Sequence, residues 1–245
     1  MRIALASVPF INKNTTHNLQ TILHTVEALS ASADVILFGE AFLQGFDAPV
    51  WDYTRDETLA LAQTSDTIDR IRAAARQYAT AVCFGYIEKD EAALYSSQMF
   101  IGDDGSIVHN FRRVSPGWKE PRADSHYREG DSFAAFDYKG KRLSIALCGD
   151  LWQEGRPEEM RALQPDAVLW PVYCDYSDVA WNTVIKFDYA RQAGLAGRSV
   201  LLVNSICREA PGSEVRARGG AAHFWDSRIR LELPAGEEGF LFANI

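Results

Sequence analysis

The sequence predicts an α/β fold, namely a four-layer α-β-β-α sandwich of two mixed sheets with helices outside. Segments with helical spacing alternate with short apolar segments through the first half, and the second half partly repeats this order. No proline- or serine-rich linker separates the halves, so a single domain spanning residues 1–245 is expected. Apolar residues make up 47% of the 245 residues, which is enough for one large core.

The first half begins with an apolar strand at residues 2–8. In residues 16–30, Leu19, Ile22 and Val26 fall at helical spacing, and the β-branched run at 34–38 predicts a strand that stops at Gly39. The remaining elements predicted for this half are a helix at 65–78 and strands at 81–87, 94–101 and 106–111, the last two joined by a turn at 103–105.

The second half carries the same kinds of segment in a similar order. A Lys139-Gly140 turn separates the first two strands of this half. Strands are predicted at 133–137, 143–147, 167–170, 200–204, 220–225, 229–233 and 240–244, and helices at 158–163 and 179–195.

Composition narrows the classes of partner. The net charge of −8 argues against nucleic acid, because binding phosphates requires a basic surface. No apolar run approaches the roughly 20 residues of a membrane helix, so no membrane is expected as a partner. The four cysteines are widely spaced and form no C-x-x-C pair, which favours neither disulfides nor a zinc site. A cytoplasmic protein without a metal is expected.

Cys148 is the first candidate catalytic residue. It lies at the end of the apolar run 143–147 and is followed by Gly149, where a strand gives way to a turn. Active groups of α/β proteins gather at the carboxyl ends of strands, and the free N–H groups of a turn favour a thiolate and a developing oxyanion. Gly149 would let the backbone approach a substrate closely. A buried structural cysteine is the alternative interpretation.

Glu40 is the second candidate. It follows the strand at 34–38 and is flanked by apolar residues, including Phe38 and Phe42. A carboxylate buried at such a place suits general-base catalysis. The alternative is a carboxylate that faces water at the strand end. A third feature is the basic segment 111–121, whose Arg112, Arg113 and Lys119 could place a cation beside a thiolate or an oxyanion; taken alone, it is typical of a solvated basic loop.

Together these segments resemble the nitrilase (carbon–nitrogen hydrolase) superfamily. Residues 37–46, Leu-Phe-Gly-Glu-Ala-Phe-Leu-Gln-Gly-Phe, are similar to the family segment with its catalytic glutamate, and residues 147–152, Leu-Cys-Gly-Asp-Leu-Trp, to the segment around its catalytic cysteine. Further segments follow in family order, at 103–113, 127–131, 203–205 and 219–224. The resemblance covers nearly the whole chain and implies the nitrilase-like form of the predicted sandwich.

The resemblance implies a triad of glutamate, lysine and cysteine. Glu40 would take the proton of Cys148, the cysteine would attack the carbonyl carbon, and water activated by Glu40 would hydrolyse the thioester. No cofactor is implied.

The lysine departs from the family pattern. Counting eight residues from the turn residue Gly105 leads to Arg113, whereas Lys119 is the only lysine between Lys89 and Lys139. Either the loop is reshaped so that Lys119 enters the site, which we favour, or Arg113 supplies the positive charge. Loss of activity is the third alternative, because arginine and lysine differ in shape and hydration.

The resemblance also implies a second carboxylate that orients the lysine. Glu120 and Asp124 are the candidates, and the register leaves the choice between them open. Glu120, Gly149 and Tyr173 are the residues expected to contact substrate. The aromatic residues placed beside the key segments, which could line a pocket, are Trp118, Trp152, Tyr173, Tyr176 and Trp181.

The function expected from these features is hydrolysis of a non-peptide C–N bond in a small amide, ω-amide or carbamoyl compound, in the manner of an amidase or carbamoylase. A binding or scaffold protein that kept the fold without activity is one alternative. An acyltransferase, in which an amine replaces water, is another. The resemblance further implies a homodimer that buries outer helices against its partner.

Overall fold

The computed structural model describes residues 1–208 and 216–245. The strands are β1 (Arg2–Ser7), β2 (Pro9–Phe10), β3 (Val35–Leu37), β4 (Ala81–Asp90), β5 (Ala93–Ile101), β6 (Ile107–Arg112), β7 (Ala135–Tyr138), β8 (Lys141–Ile145), β9 (Ala167–Val172), β10 (Ser199–Asn204), β11 (Ile206–Cys207), β12 (Ala221–Trp225), β13 (Arg228–Leu233) and β14 (Gly239–Asn244).

Helices lie between the strands. They are α1 (Thr15–Leu29), α2 (Tyr53–Asp56), α3 (Asp66–Tyr78), α4 (Arg156–Ala162), α5 (Asp178–Ala180) and α6 (Lys186–Ala196), together with 3-10 turns at Pro116–Trp118 and Cys148–Trp152. A π-helical turn at Trp181–Ile185 connects α5 to α6. Within the described residues, no helix combines the length and the hydropathy that crossing a bilayer requires.

Two six-stranded mixed sheets form the frame of the part of the chain that the structure describes. The first has the order β14-β1-β3-β4-β5-β6, and the second has the order β13-β12-β10-β9-β8-β7. β1, β3 and β4 run parallel, as do β8, β9 and β10, and antiparallel strands flank each set. The short strands β2 and β11 form a separate parallel pair.

The strand alternation decides which side chains lie between the sheets. Leu5 and Leu37 of the first sheet share a buried cluster with Ile145, Leu169 and Val203 of the second, so the two sheets pack face to face. The opposite face of the first sheet is covered by α1 and α3, and that of the second by α4 and α6. This is the α/β sandwich predicted from the sequence.

The parallel strands position the site. Glu40 follows β3 and Cys148 follows β8, so each lies beyond the carboxyl end of a parallel strand of its own sheet. Because the sheets face each other, these two ends meet across the sandwich. Arg113 directly follows β6 and joins them from the edge of the first sheet.

Candidate active site

Glu40 is held in a buried turn by close backbone packing. It is 1% exposed, and the following residue, Ala41, has a positive φ of 48°. Gly39 N–H donates to Ser205 Oγ at 3.1 Å. A Cβ at Gly85 would lie 2.3 Å from Ala41 N, so only glycine permits this approach of β4. The carboxylate is therefore fixed in position by the backbone on both sides.

The two oxygens of the Glu40 carboxylate have different surroundings. Oε1 accepts from Arg113 Nη1 at 2.8 Å and from Ser96 Oγ at 3.1 Å. Oε2 is buried and has no hydrogen-bond partner among the described residues. A buried carboxylate oxygen without a partner costs free energy, unless a substrate proton or thiol uses it. Oε2 is therefore the oxygen that can accept a proton.

Arg113 lies at the centre of the site. It is 3% exposed, its Nε donates to Ser115 Oγ at 2.8 Å, and Nε lies 4.0 Å from Asp150 Oδ1. Burial alone would lower the pKa of Arg113, but the negative charges of Glu40, Cys148 and Asp150 outweigh it and raise the pKa. The guanidinium therefore stays charged inside the protein.

Two glycines make room for this guanidinium. A Cβ at Gly149 would lie 2.6 Å from Arg113 Nη2, and a Cβ at Gly117 would lie 3.2 Å from the same nitrogen. Gly149, predicted to contact substrate, lines the cavity beside Cys148, and its lack of a side chain also makes space for Arg113. The guanidinium thus abuts the backbone of the residue that follows Cys148.

Cys148 begins a 3-10 turn and has a positive φ of 40°, which is unusual for a residue with a side chain. Its carbonyl oxygen accepts from Trp170 Nε1 at 2.9 Å, and its Sγ lies 3.5 Å from the carbonyl oxygen of Tyr173. Asp150 closes the turn, since its Oδ2 accepts from Leu147 N–H at 2.9 Å. The thiol is thereby presented on a constrained turn at the strand end.

Asp150 connects this turn to the segment that carries Arg113. Its Oδ1 accepts from the N–H groups of Val114 and Ser115, at 3.1 and 2.8 Å. Burial raises the pKa of Asp150 to about 6, even though the charge of Arg113 and hydrogen bonds from the Leu147 backbone and the Ser115 side chain oppose the rise. The charged form present at neutral pH thus holds the two segments together.

A cavity of about 500 Å³ opens beside Cys148. Trp152, Tyr176 and Tyr189 form aromatic walls, and Gln192 and the Asp188–Arg191 ion pair add polar groups. Two of the aromatic residues predicted to line a pocket, Trp152 and Tyr176, therefore do so. Trp181 packs against Tyr189, with ring centroids 4.9 Å apart, and is 5% exposed.

The structure does not bring Lys119 to Glu40. Its Nζ donates to the carbonyl oxygen of Tyr127 at 2.8 Å and forms an ion pair with Glu129 at 2.8 Å. The loop at 116–120 is not reshaped to insert the lysine, because Arg113 already occupies the space beside Glu40. Lys119 is therefore not the cation beside Glu40. That cation is Arg113, the residue reached by counting eight residues from Gly105.

The two candidates for a supporting carboxylate also lie elsewhere. Glu120 is exposed, pairs with Arg122 at 2.8 Å, and lines a separate cavity of about 300 Å³ with Lys119. Asp124 is exposed and binds His126. The carboxylate that lies beside the cation is Asp150, which the sequence reasoning missed, although it is two residues after Cys148.

Tyr173 contributes its backbone rather than its ring. Its carbonyl oxygen faces Cys148 Sγ, while its hydroxyl donates to Asp47 at 2.6 Å and its ring stacks on Phe46 at 4.5 Å. Trp118 packs with Trp51, with ring centroids 5.9 Å apart. Ser96 and Ser115 are further residues that the sequence reasoning missed, because an isolated serine carries no pattern of its own.

Comparisons with known proteins identify sequence relatives of this chain. A family model described as carbon-nitrogen hydrolase matches residues 2–183. A nitrilase from Penicillium rubens is 30% identical over 87% of this chain and 74% of its own length. An (R)-stereoselective amidase from a Pseudomonas species is 26% identical over 66% of this chain and 56% of its own length. The chain thus spans about half to three quarters of these relatives.

Solved structures share the fold. An amidase from Nesterenkonia sp. AN1 has a TM-score of 0.78 and 19% identity, covering 100% of this chain and 92% of that one. A glutamine-dependent NAD+ synthetase from Acinetobacter baumannii has a TM-score of 0.77 and 19% identity, covering 98% of this chain and 44% of that one. In a structure of a mutant of the Nesterenkonia amidase, acrylamide is joined to the active-site cysteine by Michael addition. The family model and the Penicillium relative show that this chain belongs to the carbon–nitrogen hydrolase family, the nitrilase superfamily.

Proposed function

We propose that the protein hydrolyses the C–N bond of a small amide through a thioester on Cys148. Glu40 is the general base, and Arg113 takes the place of the family lysine. The observation that carries the proposal is the Glu40 carboxylate: one oxygen is bound by Arg113 and Ser96, and the other is buried without a partner. That arrangement leaves a single oxygen free for proton transfer.

The first half of the reaction forms the thioester. Glu40 Oε2 takes the thiol proton of Cys148, and the sulfur attacks the carbonyl carbon. Negative charge then develops on the carbonyl oxygen, and the buried Arg113 guanidinium is the nearby positive charge that stabilises it. The C–N bond breaks, and Glu40 returns the proton to the leaving nitrogen, which departs as ammonia or an amine.

The second half regenerates the enzyme. Glu40 takes a proton from water, whose oxygen attacks the thioester carbon. The C–S bond breaks, the carboxylic acid leaves, and the sulfur of Cys148 regains its proton. The amidase and nitrilase relatives support C–N hydrolysis as the reaction class, and the cavity of about 500 Å³ beside Cys148 supports a small substrate.

Intact-protein mass spectrometry with parallel ammonia measurement tests the proposal. The protein is incubated with acetamide, propionamide and acrylamide, beside Cys148→Ala and, as a matched control, Cys83→Ala, whose thiol is buried away from the site. We expect ammonia release and a covalent adduct in the wild type and in Cys83→Ala, and neither in Cys148→Ala.

A contrary outcome would be equally clear. Absence of both adduct and ammonia, with iodoacetamide labelling Cys148 no faster than the other cysteines, would overturn the proposal in favour of a non-catalytic protein with this fold. If ammonia release required an added amine acceptor, an acyltransferase would replace the hydrolase.

A further inference from the structure

A second thiol lies beside Cys148, and the proposed reaction does not use it. β8 and β9 are neighbouring parallel strands, with Ile145 opposite Leu169, so their carboxyl ends emerge side by side. Cys148 follows the first of these ends and Cys174 follows the second. The Sγ of Cys148 lies 3.5 Å from the carbonyl oxygen of Tyr173, the residue directly before Cys174. The Cys148 side chain also lies close enough to Cys174 to raise the pKa of its thiol.

Cys174 is fixed in this position by its own contacts. Its N–H donates to Asn204 Oδ1 at 3.3 Å, and its carbonyl oxygen accepts from Asn204 Nδ2 at 2.9 Å. Its Sγ lies 3.0 Å from Tyr189 Oη, and Tyr189 lines the cavity that Cys148 opens into. Cys174 is 7% exposed, so a reagent in this cavity meets Cys148 first.

We propose that Cys148 and Cys174 are a redox-reactive pair that hydrogen peroxide converts into an intramolecular disulfide. In the first step, the Cys148 thiolate attacks peroxide, the O–O bond breaks, and Cys148 becomes a sulfenic acid while the leaving hydroxide takes a proton to form water. In the second step, the sulfur of Cys174 attacks the sulfenic sulfur. The S–S bond forms, the S–O bond breaks, and the leaving hydroxide takes the thiol proton of Cys174. Two thiols and one peroxide thus give one disulfide and two waters.

The surroundings of Cys174 favour this order of steps. The neighbouring Cys148 side chain and burial raise the pKa of the Cys174 thiol well above its usual value, and Cys174 is buried whereas Cys148 is only partly buried, so Cys148 is the thiol that reacts first.

The disulfide would take the proposed nucleophile out of reaction and protect it. A sulfenic acid without a neighbouring thiol proceeds to sulfinic and sulfonic acids, which thiol reductants do not reverse. With Cys174 beside it, oxidation stops at a bond that dithiothreitol can reduce. The pair requires a peroxide-reactive Cys148 but no hydrolase activity.

Peptide mass spectrometry after peroxide treatment tests the pair. The protein is treated with hydrogen peroxide, its remaining thiols are blocked with N-ethylmaleimide, and it is digested with trypsin without reduction. Trypsin leaves Cys148 in the peptide 143–161 and Cys174 in the peptide 162–186. We expect the intact protein to lose the mass of two hydrogen atoms and these two peptides to appear linked, until dithiothreitol separates them.

Variants and controls make the test decisive. In Cys174→Ser and Cys174→Ala, we expect Cys148 to gain two or three oxygen atoms irreversibly, whereas Cys83→Ser should form the linked peptides as the wild type does. The proposal is overturned if the wild type shows no linked peptides and if its Cys148 gains oxygen as fast as in the two Cys174 variants. Ammonia release by the reduced protein is assayed separately, so failure of the hydrolase proposal remains distinguishable from failure of the pair.

Discussion

At the scale of single residues, the space around Arg113 decides what the site can do. An arginine side chain is larger than the lysine of the family pattern, and its guanidinium is planar. Gly149 and Gly117 accommodate it, since a Cβ at either position would lie within 3.2 Å of Nη2. The larger arginine therefore fits where the family has lysine because Gly149 and Gly117, which lie on two sides of it, have no side chains.

Gly149→Ala should displace this guanidinium from the nucleophile. The new Cβ would lie 2.6 Å from Arg113 Nη2, and the guanidinium is buried, so the arginine must shift. Loss of one stabilising donor for an oxyanion typically lowers kcat by about 100-fold. We expect a decrease of that order in the rate of ammonia release, measured under saturating amide.

Gly239→Ala is the matched control, because the nearest neighbour of its new Cβ would be 3.8 Å away. The double variant Gly149→Ala with Arg113→Lys tests the steric cause, since the slimmer lysine leaves room for the methyl group. We expect it to recover part of the lost rate. A fully active Gly149→Ala variant would contradict the role assigned to Arg113.

The sequence could predict the residues that follow strands but not those that reach the site through space. Glu40 and Cys148 each follow an apolar run, and that pattern marks a strand end. The residue type favours Lys119 over Arg113, although the spacing from Gly105 favours the arginine. Ser96 and Asp150 contact the site through hydrogen bonds that form only when the sheets are packed. A local sequence pattern does not predict such contacts.

At the scale of elements, the segment after Glu40 is held by the buried carboxylate of Asp56. Asp56, the last residue of α2, accepts from the N–H groups of Val50 and Trp51 at 2.8 to 3.0 Å. It also accepts from the hydroxyl of Tyr127 at 2.7 Å. Trp51 then packs against the Tyr127 ring, with centroids 5.3 Å apart. α2 thus fixes a loop that otherwise lacks regular structure.

Tyr127→Phe tests how much the hydrogen bond to Asp56 contributes to stability. The change removes a buried hydrogen bond to a carboxylate, and such bonds contribute about 1.5–3 kcal/mol. We expect a decrease of that size in the free energy of unfolding, measured by urea denaturation followed by circular dichroism. Tyr78→Phe is the control, because Tyr78 is only partly buried, at the end of α3, and its loss of a hydroxyl should change stability by less than about 0.5 kcal/mol. Equal effects of the two substitutions would contradict this role of Asp56.

The elements that could be predicted are those with enough residues to show a period. α1 and α3 begin and end within one residue of the predicted ranges 16–30 and 65–78. The pair of β2 and β11 was missed, since two-residue strands show no alternation and their partners are far apart in sequence. The helix at 179–195 was predicted as continuous, but it contains the π-helical turn at Trp181–Ile185.

At the scale of the whole molecule, the site exists only where the two sheets meet. Glu40 and Arg113 belong to the first sheet, whereas Cys148, Asp150 and Cys174 belong to the second. The ion pair between Arg113 and Asp150 and the hydrogen bonds that the N–H groups of Val114 and Ser115 donate to Asp150 therefore also connect the halves of the sandwich. Conditions that change the buried charges of the site also change the stability of the fold.

Two buried groups give opposite pH dependences of this stability. The pKa of Asp150 is about 6 in the folded protein and 3.8 ordinarily, so its contribution to stability is present at low pH and is lost as pH rises through 6. Burial, aided by Arg230, lowers the pKa of His223 from 6.5 to about 4. His223 therefore binds a proton more tightly in the unfolded chain than in the folded protein, and the free energy of unfolding decreases as pH falls from 6.5 towards 4.

His223 should outweigh Asp150 in mildly acidic solution. Between pH 7.5 and pH 5, the shift at His223 lowers the free energy of unfolding by about 2 kcal/mol, and the shift at Asp150 raises it by about 1 kcal/mol. His223→Gln removes only the first contribution, so the stability of the wild type relative to this variant should fall by about 2 kcal/mol between the two pH values. Urea unfolding at both pH values measures this difference, in which the contribution of Asp150 and of other groups cancels.

The control for this comparison is His24→Gln, which replaces an exposed imidazole on α1. It should keep the pH dependence of the wild type, because its side chain is hydrated in the folded and unfolded states alike. Parallel pH dependences of the wild type and His223→Gln would show that the imidazole of His223 becomes protonated without cost inside the second sheet. Since His223 is 1% exposed and contacts Ser199 Oγ at 3.0 Å, a protonated ring there would have to lose hydration that the unfolded chain retains. For that reason, we expect acid to destabilise the second sheet, and with it the strand ends that carry Cys148 and Cys174.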